Sequence, residues 1–315
     1  MPDDVHPQIQ ALFDMMAELG LPKLQDMTTN AARGLVDQIA SARCADYPPP
    51  EVAEVVNMST GAGYNHVPVR LYRTSDREPS PVIVFYHGGG QVVGSLDSYD
   101  TAARFLARSC GVTLVSVDYR MAPEHRFPIA VEDAFQAARW VADHAETLRV
   151  DPGKMALAGD SAGGNLAAVV ALIARNSGDF PVAAQLLVYP LTDWAGGTAS
   201  YDRYATGYGV LETDTMVWFK DRYLSDPADG DDWRASPLKA PSLAGLPPAL
   251  VITAQCDVLR DEGRDYADRM KSAGVPVDYV EFPGMVHGFF SYLGHVDDAE
   301  RAHQKIAEFL DHLWG

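Results

Sequence analysis

Apolar residues recur at helical spacing at the start of the chain and then gather into short, nearly continuous runs. Ile9, Leu12, Phe13, Met16 and Leu19 form a stripe that Gly20 and Pro22 end, which predicts a first helix. Ala32, Leu35, Val36 and Ile39 form a second stripe behind Thr28-Thr29-Asn30, residue types that cap helix N-termini. Pro48-Pro49-Pro50 then marks a linker.

Beyond the linker, the period changes. Val52–Met58 and Val67–Tyr72 read as a hairpin-like pair around Gly61-Ala62-Gly63. Val82–Tyr86, Val112–Val117, Met155–Ala158, Leu186–Tyr189, Ala249–Thr253 and Val277–Phe282 are short apolar runs bounded by turn residues. Helical stripes separate most of them, the clearest being Val131, Ala134, Phe135, Ala138, Val141 and Ala142 behind Pro128. A last stripe, Ala302, Ile306, Phe309, Leu310 and Leu313, closes the chain. Apolar strands alternating with helices predict an α/β fold with a mainly parallel central sheet flanked by helices. The interval 191–248 is far longer than a crossover needs and holds a helical stretch at Asp214–Leu224 among many aromatics, as a lid element would.

Composition narrows the class. The 315 residues carry a net charge of −18, and such an acidic chain repels phosphate backbones and anionic lipid. Nucleic-acid binding and stable membrane association are therefore not expected. Cys44, Cys110 and Cys256 are scattered and odd in number, against a disulfide framework or a zinc knuckle and for a reducing compartment. The start, Met1-Pro2-Asp3-Asp4, has neither a basic nor an apolar leader region, so a cytoplasmic protein is expected.

The chemistry is concentrated in two glycine-rich strings. Gly159-Asp160-Ser161-Ala162-Gly163 fits G-x-S-x-G and lies between an apolar strand and a helical run, the context in which that motif presents a nucleophilic serine. His87-Gly88-Gly89-Gly90 follows another strand, and its unshielded N–H groups suit a developing oxyanion. A dinucleotide-loop reading of this second string is weaker. Val93 occupies its third glycine position, and it leaves Gly159–Gly163 without a role.

A serine hydroxyl needs a base, and the base needs an orienting acid. Of nine histidines, His287 lies just after the last strand and before the final helix, at the carboxyl edge where α/β sites collect. His125 follows a strand but stands between ionisable neighbours, and His295 is a nearby rival to His287. Asp257 is the acid nearest the end of the strand Ala249–Thr253, whereas Asp261 and Glu262 read as the acidic first turn of the next helix. The order Ser161, Asp257, His287 is that of the α/β-hydrolases.

The strings His87–Gly90, Asp118–His125, Gly159–Leu166, Leu259–Gly263 and His287–Phe289 resemble the hormone-sensitive-lipase-like (bacterial family IV) esterases of the α/β-hydrolase superfamily. The resemblance implies an α/β-hydrolase fold with a helical cap, built from residues 1–45 and the insertion 191–248, on a catalytic domain of 46–190 and 249–315. It implies a serine carboxylic ester hydrolase for short- to medium-chain acyl esters, working through an acyl-enzyme with no cofactor and no metal. In that reading Ser161, Asp257 and His287 are catalytic, and the N–H groups of Gly88, Gly89 and Ala162 receive the oxyanion. Phe13, Met16, Gln91, Tyr208 and Trp218, with Met15 and Phe219, are candidates for lining the acyl pocket. Two positions depart from the family: Gln91 where an aromatic residue is usual, and Val258 where proline is common. A small-molecule ester is the expected partner, and a homodimer is a further expectation. An amidase, lactonase or deacetylase would use the same triad, and a non-catalytic receptor on this fold is the alternative from another class.

Overall fold

The computed structural model describes residues 4–75, 78–209 and 211–315; the Met1-Pro2-Asp3 start read above lies outside them. Eight strands form one sheet: β1 (Glu54–Ser59), β2 (Pro68–Arg73), β3 (Ser80–Tyr86), β4 (Thr113–Val117), β5 (Val150–Asp160), β6 (Ala184–Val188), β7 (Ala249–Cys256) and β8 (Val277–Val286). Their order is β1-β2-β4-β3-β5-β6-β7-β8. The pairs β1/β2 and β2/β4 are antiparallel, and every pair from β4/β3 to β7/β8 is parallel.

The burial follows from this order. β3, β4 and β6 are buried at every residue, because helices cover both faces of the parallel part, and their sequences are accordingly apolar without alternation. The helices are α1 (Pro7–Glu18), α2 (Thr29–Asp46), α3 (Asp100–Cys110), α4 (Ile129–Asp143), α5 (Ala145–Leu148), α6 (Ala162–Ser177), α7 (Ala199–Arg203), α8 (Thr213–Tyr223), α9 (Arg260–Ser272) and α10 (Asp297–Trp314). Helix α6 is buried throughout Ala162–Leu172, which suits its small and apolar sequence. Among the described residues no helix is long and apolar enough to cross a membrane.

The strands extend beyond the apolar runs that announced them. β5 begins five residues earlier than Met155, at Val150, and β7 and β8 run on to Cys256 and Val286. The last pairing, Cys256 with Val286, brings the ends of β7 and β8 side by side. Since β3, β5, β7 and β8 are parallel, the residues that follow them (His87, Ser161, Asp257 and His287) all emerge at one edge of the sheet.

The N-terminal segment and the insertion 191–248 are pinned to each other. Lys23 Nζ lies 2.7 Å from Glu212, Thr215 donates to Gln25 at 2.8 Å, and the Trp218 indole N–H donates to Met27 O at 3.3 Å. Asp4 accepts from Arg203 at 3.1 Å and from the Tyr208 hydroxyl at 3.2 Å. Helices α1 and α2 bury few residues of their own: Ile9 in the first, Ala32 and Ala40 in the second.

Candidate active site

Ser161 sits at the sharp turn between β5 and α6 with φ 55° and ψ −120°, a backbone region that a residue with a side chain occupies at a cost of about 1–3 kcal/mol. Its surroundings hold it there. The Ser161 N–H donates to Val188 O at 2.8 Å, and its carbonyl accepts from Asn165 N at 3.0 Å. The flanking glycines make the turn sterically feasible: a Cβ on Gly163 would overlap the Tyr86 carbonyl, and one on Gly159 would overlap the Gly163 backbone.

The structure brings together the three residues singled out from the sequence. His287 Nε2 is 2.8 Å from Ser161 Oγ, and His287 Nδ1 is 2.7 Å from Asp257 Oδ2. An ionised Asp257 accepts only, so Nδ1 carries the proton and Nε2 is free to accept from the serine hydroxyl. The other Asp257 oxygen accepts from Leu259 N–H at 2.9 Å. All three side chains are buried, and the Tyr189 ring lies 4.6 Å from the imidazole. His125 is exposed and His295 half-buried, and neither meets Ser161.

The glycine loop needs one correction. The Gly88 N–H is engaged by Asp160 Oδ1 at 2.8 Å, so it is not free to receive an oxyanion. Among the described residues the N–H groups of Gly89, Gly90 and Ala162 have no protein acceptor, and the Gly89 carbonyl closes the turn by accepting from Val92 and Val93 N–H at 3.0 and 2.9 Å. Of the three glycine N–H groups, the first is thus taken by Asp160, while the next two are left without a protein acceptor among the described residues.

Asp160 is the functional residue that sequence reading passed over as the variable position of the serine motif. Its Oδ2 accepts from the Tyr99 hydroxyl at 3.1 Å and from the Tyr189 hydroxyl at 3.4 Å. Burial pushes its carboxyl up to about 6, against the opposing pull of Tyr99, His287 and the Gly88 N–H. A carboxyl whose folded pKa is raised binds protons more tightly in the folded chain than in the unfolded one. Its contribution therefore favours folding at low pH and is lost as pH rises from about 4 through about 6. Denaturation midpoints of the wild type and Asp160→Asn, compared at pH 4 and pH 7, check this. The wild type loses stability relative to the variant across that window, whereas a constant difference contradicts it.

Asp261 and Glu262 are more than an acidic first turn. Both are buried: Asp261 accepts from Ser200 N–H at 2.9 Å, and Glu262 accepts from Thr192 and Asp193 N–H at 2.6 and 3.1 Å. Ser200 in turn donates to Val258 O at 2.6 Å, which ties the insertion to the loop of Asp257. His87 stacks on Tyr119 at 4.5 Å, and burial lowers its pKa to about 4, so it is a neutral support beneath the glycine loop. Among the described residues no group of three or more His, Cys, Asp or Glu is placed to hold a metal ion.

The candidate pocket residues are placed unequally. Phe13 is half-buried, and a Cβ on Gly209 would sit 3.0 Å from its ring and 3.8 Å from Val286, which puts Phe13 beside the strand end carrying His287. Met16 is half-buried on α1, next to an exposed Met15. Gln91 is fully buried and donates from its amide to Ala162 O at 3.3 Å, bracing the glycine loop against the serine turn. Tyr208 is half-buried against Tyr204 and bonded to Asp4. Trp218 is turned to the N-terminal segment, with Arg222 stacked 3.7 Å over its ring. Its neighbour Phe219 instead packs on Gly90 so closely that a Cβ there would overlap the ring.

Comparisons with known proteins agree with this geometry. A profile of the alpha/beta hydrolase fold matches residues 83–291. The chain is 42% identical over 258 residues to the carboxylic ester hydrolase LipN of Mycobacterium tuberculosis, covering 79% of this chain and 68% of that protein. It is 39% identical over 266 residues to the ethyl acetate hydrolase of Pseudomonas putida, covering 83% of each. The solved structure of the Pyrobaculum calidifontis esterase superposes with a TM-score of 0.92 at 40% identity, covering 98% of this chain and 99% of that one. With a triad-like contact between Ser161 and His287 at the edge where such sites lie, the chain belongs to the hormone-sensitive-lipase-like branch of the α/β-hydrolase family and is a serine ester hydrolase.

Proposed function

We propose that Ser161 attacks the ester carbonyl while His287 takes its proton and then passes it to the leaving alcohol, with Asp257 holding the imidazole tautomer. The tetrahedral oxyanion is received by the N–H groups of Gly89, Gly90 and Ala162, each such donor being worth about 10² to 10³ in rate. Water, activated by the same histidine, then cleaves the acyl-enzyme. The observation that carries this reading is the unbroken chain from Asp257 through His287 to Ser161, at 2.7 and 2.8 Å, together with three N–H groups that have no protein acceptor among the described residues.

The substrate class follows from the walls of the site. Residues 1–45 and 191–248 act together as a cap, and Phe219 on Gly90 closes the acyl side to short and medium chains. Similarity to a Pseudomonas putida protein named for ethyl acetate hydrolysis supports small esters. Rates over p-nitrophenyl esters from acetate to laurate test the assignment and size the pocket together. In Phe219→Ala the optimum shifts to longer chains, each newly buried methylene adding about 0.8 kcal/mol, or about fourfold in kcat/KM. An unchanged ranking of esters removes Phe219 from the pocket. The three free thiols support a reducing, cytoplasmic setting, and the outer edge of β8, last in the sheet, is the proposed seam of a homodimer.

A further inference from the structure

Helix α2 is bolted to the site at both ends by arginines. Near its C-terminus Arg43 donates to Ser291 O at 3.2 Å and lies 5.4 Å over the Tyr292 ring, on the segment that follows His287. Near its N-terminus Arg33 makes four hydrogen bonds with one guanidinium. Nε donates to Val92 O at 2.8 Å and Nη2 to Ala122 O at 2.8 Å, while Nη1 and Nη2 grip both oxygens of Glu124 at 2.9 and 2.8 Å. An exposed arginine–glutamate pair alone contributes little. Here the two-pronged grip on Glu124 orients the planar fork so that its remaining donors meet two backbone carbonyls.

Those carbonyls belong to the glycine loop and its brace. Val92 closes the loop by donating to Gly89 O at 3.0 Å, and Ala122 N–H donates to Gln91 O at 2.8 Å. The turn from Gly89 to Val93 is therefore held from three directions. Asp160 takes Gly88 N–H, Gln91 reaches the carbonyl of Ala162, and Arg33 takes the outgoing carbonyl of Val92. Only the last of these comes from the N-terminal helices. With only Ala32 and Ala40 fully buried and Val36 partly packed on the core, α2 has a modest apolar contact, and the arginine contacts add to it at both ends.

We propose that Arg33 is a positioning residue for ester hydrolysis, holding the Gly89–Val93 turn so that the Gly89 and Gly90 N–H groups point at the oxyanion. Docking of α2 thereby completes the site for the transition state, rather than only shaping the pocket. The inference rests on the reading of Gly89 and Gly90 as oxyanion donors.

The test is the kinetics of the full-length Arg33→Ala, Arg33→Lys and Glu124→Gln variants on p-nitrophenyl acetate and hexanoate, with and without added guanidinium ion. Misplacing the donors by a fraction of an ångström to one ångström lowers kcat about 10- to 100-fold in Arg33→Ala. KM changes less than about twofold, because a ground-state ester draws little on these donors. The loss is the same for both esters, and guanidinium restores part of it. Arg33→Lys and Glu124→Gln lose less, and either one carries the test if the alanine variant does not fold. An unchanged kcat, a loss that appears in KM and varies with acyl length, or the absence of guanidinium rescue overturns the proposal. Asp160→Ala, which releases the same loop from the opposite side by removing the acceptor of the Gly88 N–H, separates the two readings. If it lowers kcat while the Arg33 variants do not, the Arg33 proposal fails and the loop assignment stands; if neither lowers kcat, the loop assignment itself fails.

Discussion

Ser161→Ala lowers kcat on a p-nitrophenyl ester by about 10⁶-fold, leaving only the rate that binding and oxyanion donors supply without a nucleophile. The expectation follows from the geometry. Ser161 Oγ is the hydroxyl that meets the free nitrogen of His287 at 2.8 Å, donating its proton to Nε2, and the strained turn that presents it has no second hydroxyl in its place. His287→Ala produces a loss of similar size, since an unactivated serine is a poor nucleophile at neutral pH. The double variant is no worse than either single one, because the pair acts as a unit. KM in all three stays near the wild-type value. A Ser161→Ala enzyme that keeps more than about one hundredth of the wild-type kcat contradicts the assignment, since so small a loss is far below what removal of a nucleophile causes.

The second large effect is at Asp160. Its carboxylate accepts from the Gly88 N–H at 2.8 Å and from the Tyr99 and Tyr189 hydroxyls at 3.1 and 3.4 Å, with Asp160 and Tyr189 buried and Tyr99 half-buried. Asp160→Ala leaves three donors unpaired, each at a cost of about 1–3 kcal/mol, and releases the glycine loop from the serine turn. Loss of aligned oxyanion donors then lowers kcat by about 10² to 10³. Asp160 is buried with both oxygens engaged by protein donors, so KM moves little. Asp160→Asn keeps an acceptor for Gly88 but turns a donor toward the tyrosines, and its kcat falls between the two. Steady-state kinetics with thermal melts as a control check the ordering. If KM carries the loss while kcat holds, Asp160 is part of the binding pocket and not a support for the loop.

The fold was legible because the parallel strands are buried on both faces, so runs such as Val82–Tyr86 and Leu186–Val188 announce themselves without alternation. Strand ends were less so. The polar run Asp151–Lys154 belongs to β5, and Pro283 and Gly284 interrupt β8 without ending it, because each sits in an irregularity of the ladder with paired residues on both sides: Val150 and Met155 in β5, Phe282 and Val286 in β8. The hydrogen-bonded trio of Ser161, His287 and Asp257 could be read because each of them directly follows a strand of one parallel set. Three consecutive glycines, by contrast, offer equivalent donors on paper. Only the position of the Asp160 carboxylate shows that Gly88 is occupied.

The pocket candidates could not be sorted from the sequence for a related reason. Trp218 and Phe219 are adjacent on α8, and successive residues of a helix point about 100° apart. Composition cannot tell which of them faces Gly90 and which faces Met27. Arg33 and Val92 are far apart in the chain, and nothing local in the stripe of α2 marks that contact.

The most direct test of the account is reaction of the wild-type protein with a p-nitrophenyl alkylphosphonate. Ser161 Oγ bonds to phosphorus as the P–O(aryl) bond breaks, and His287 takes the serine proton. The account predicts release of one equivalent of p-nitrophenolate per chain, with the added mass on the peptide containing Ser161 and no reaction in Ser161→Ala. Release without that modification, or labelling of the alanine variant at the same rate, would contradict it.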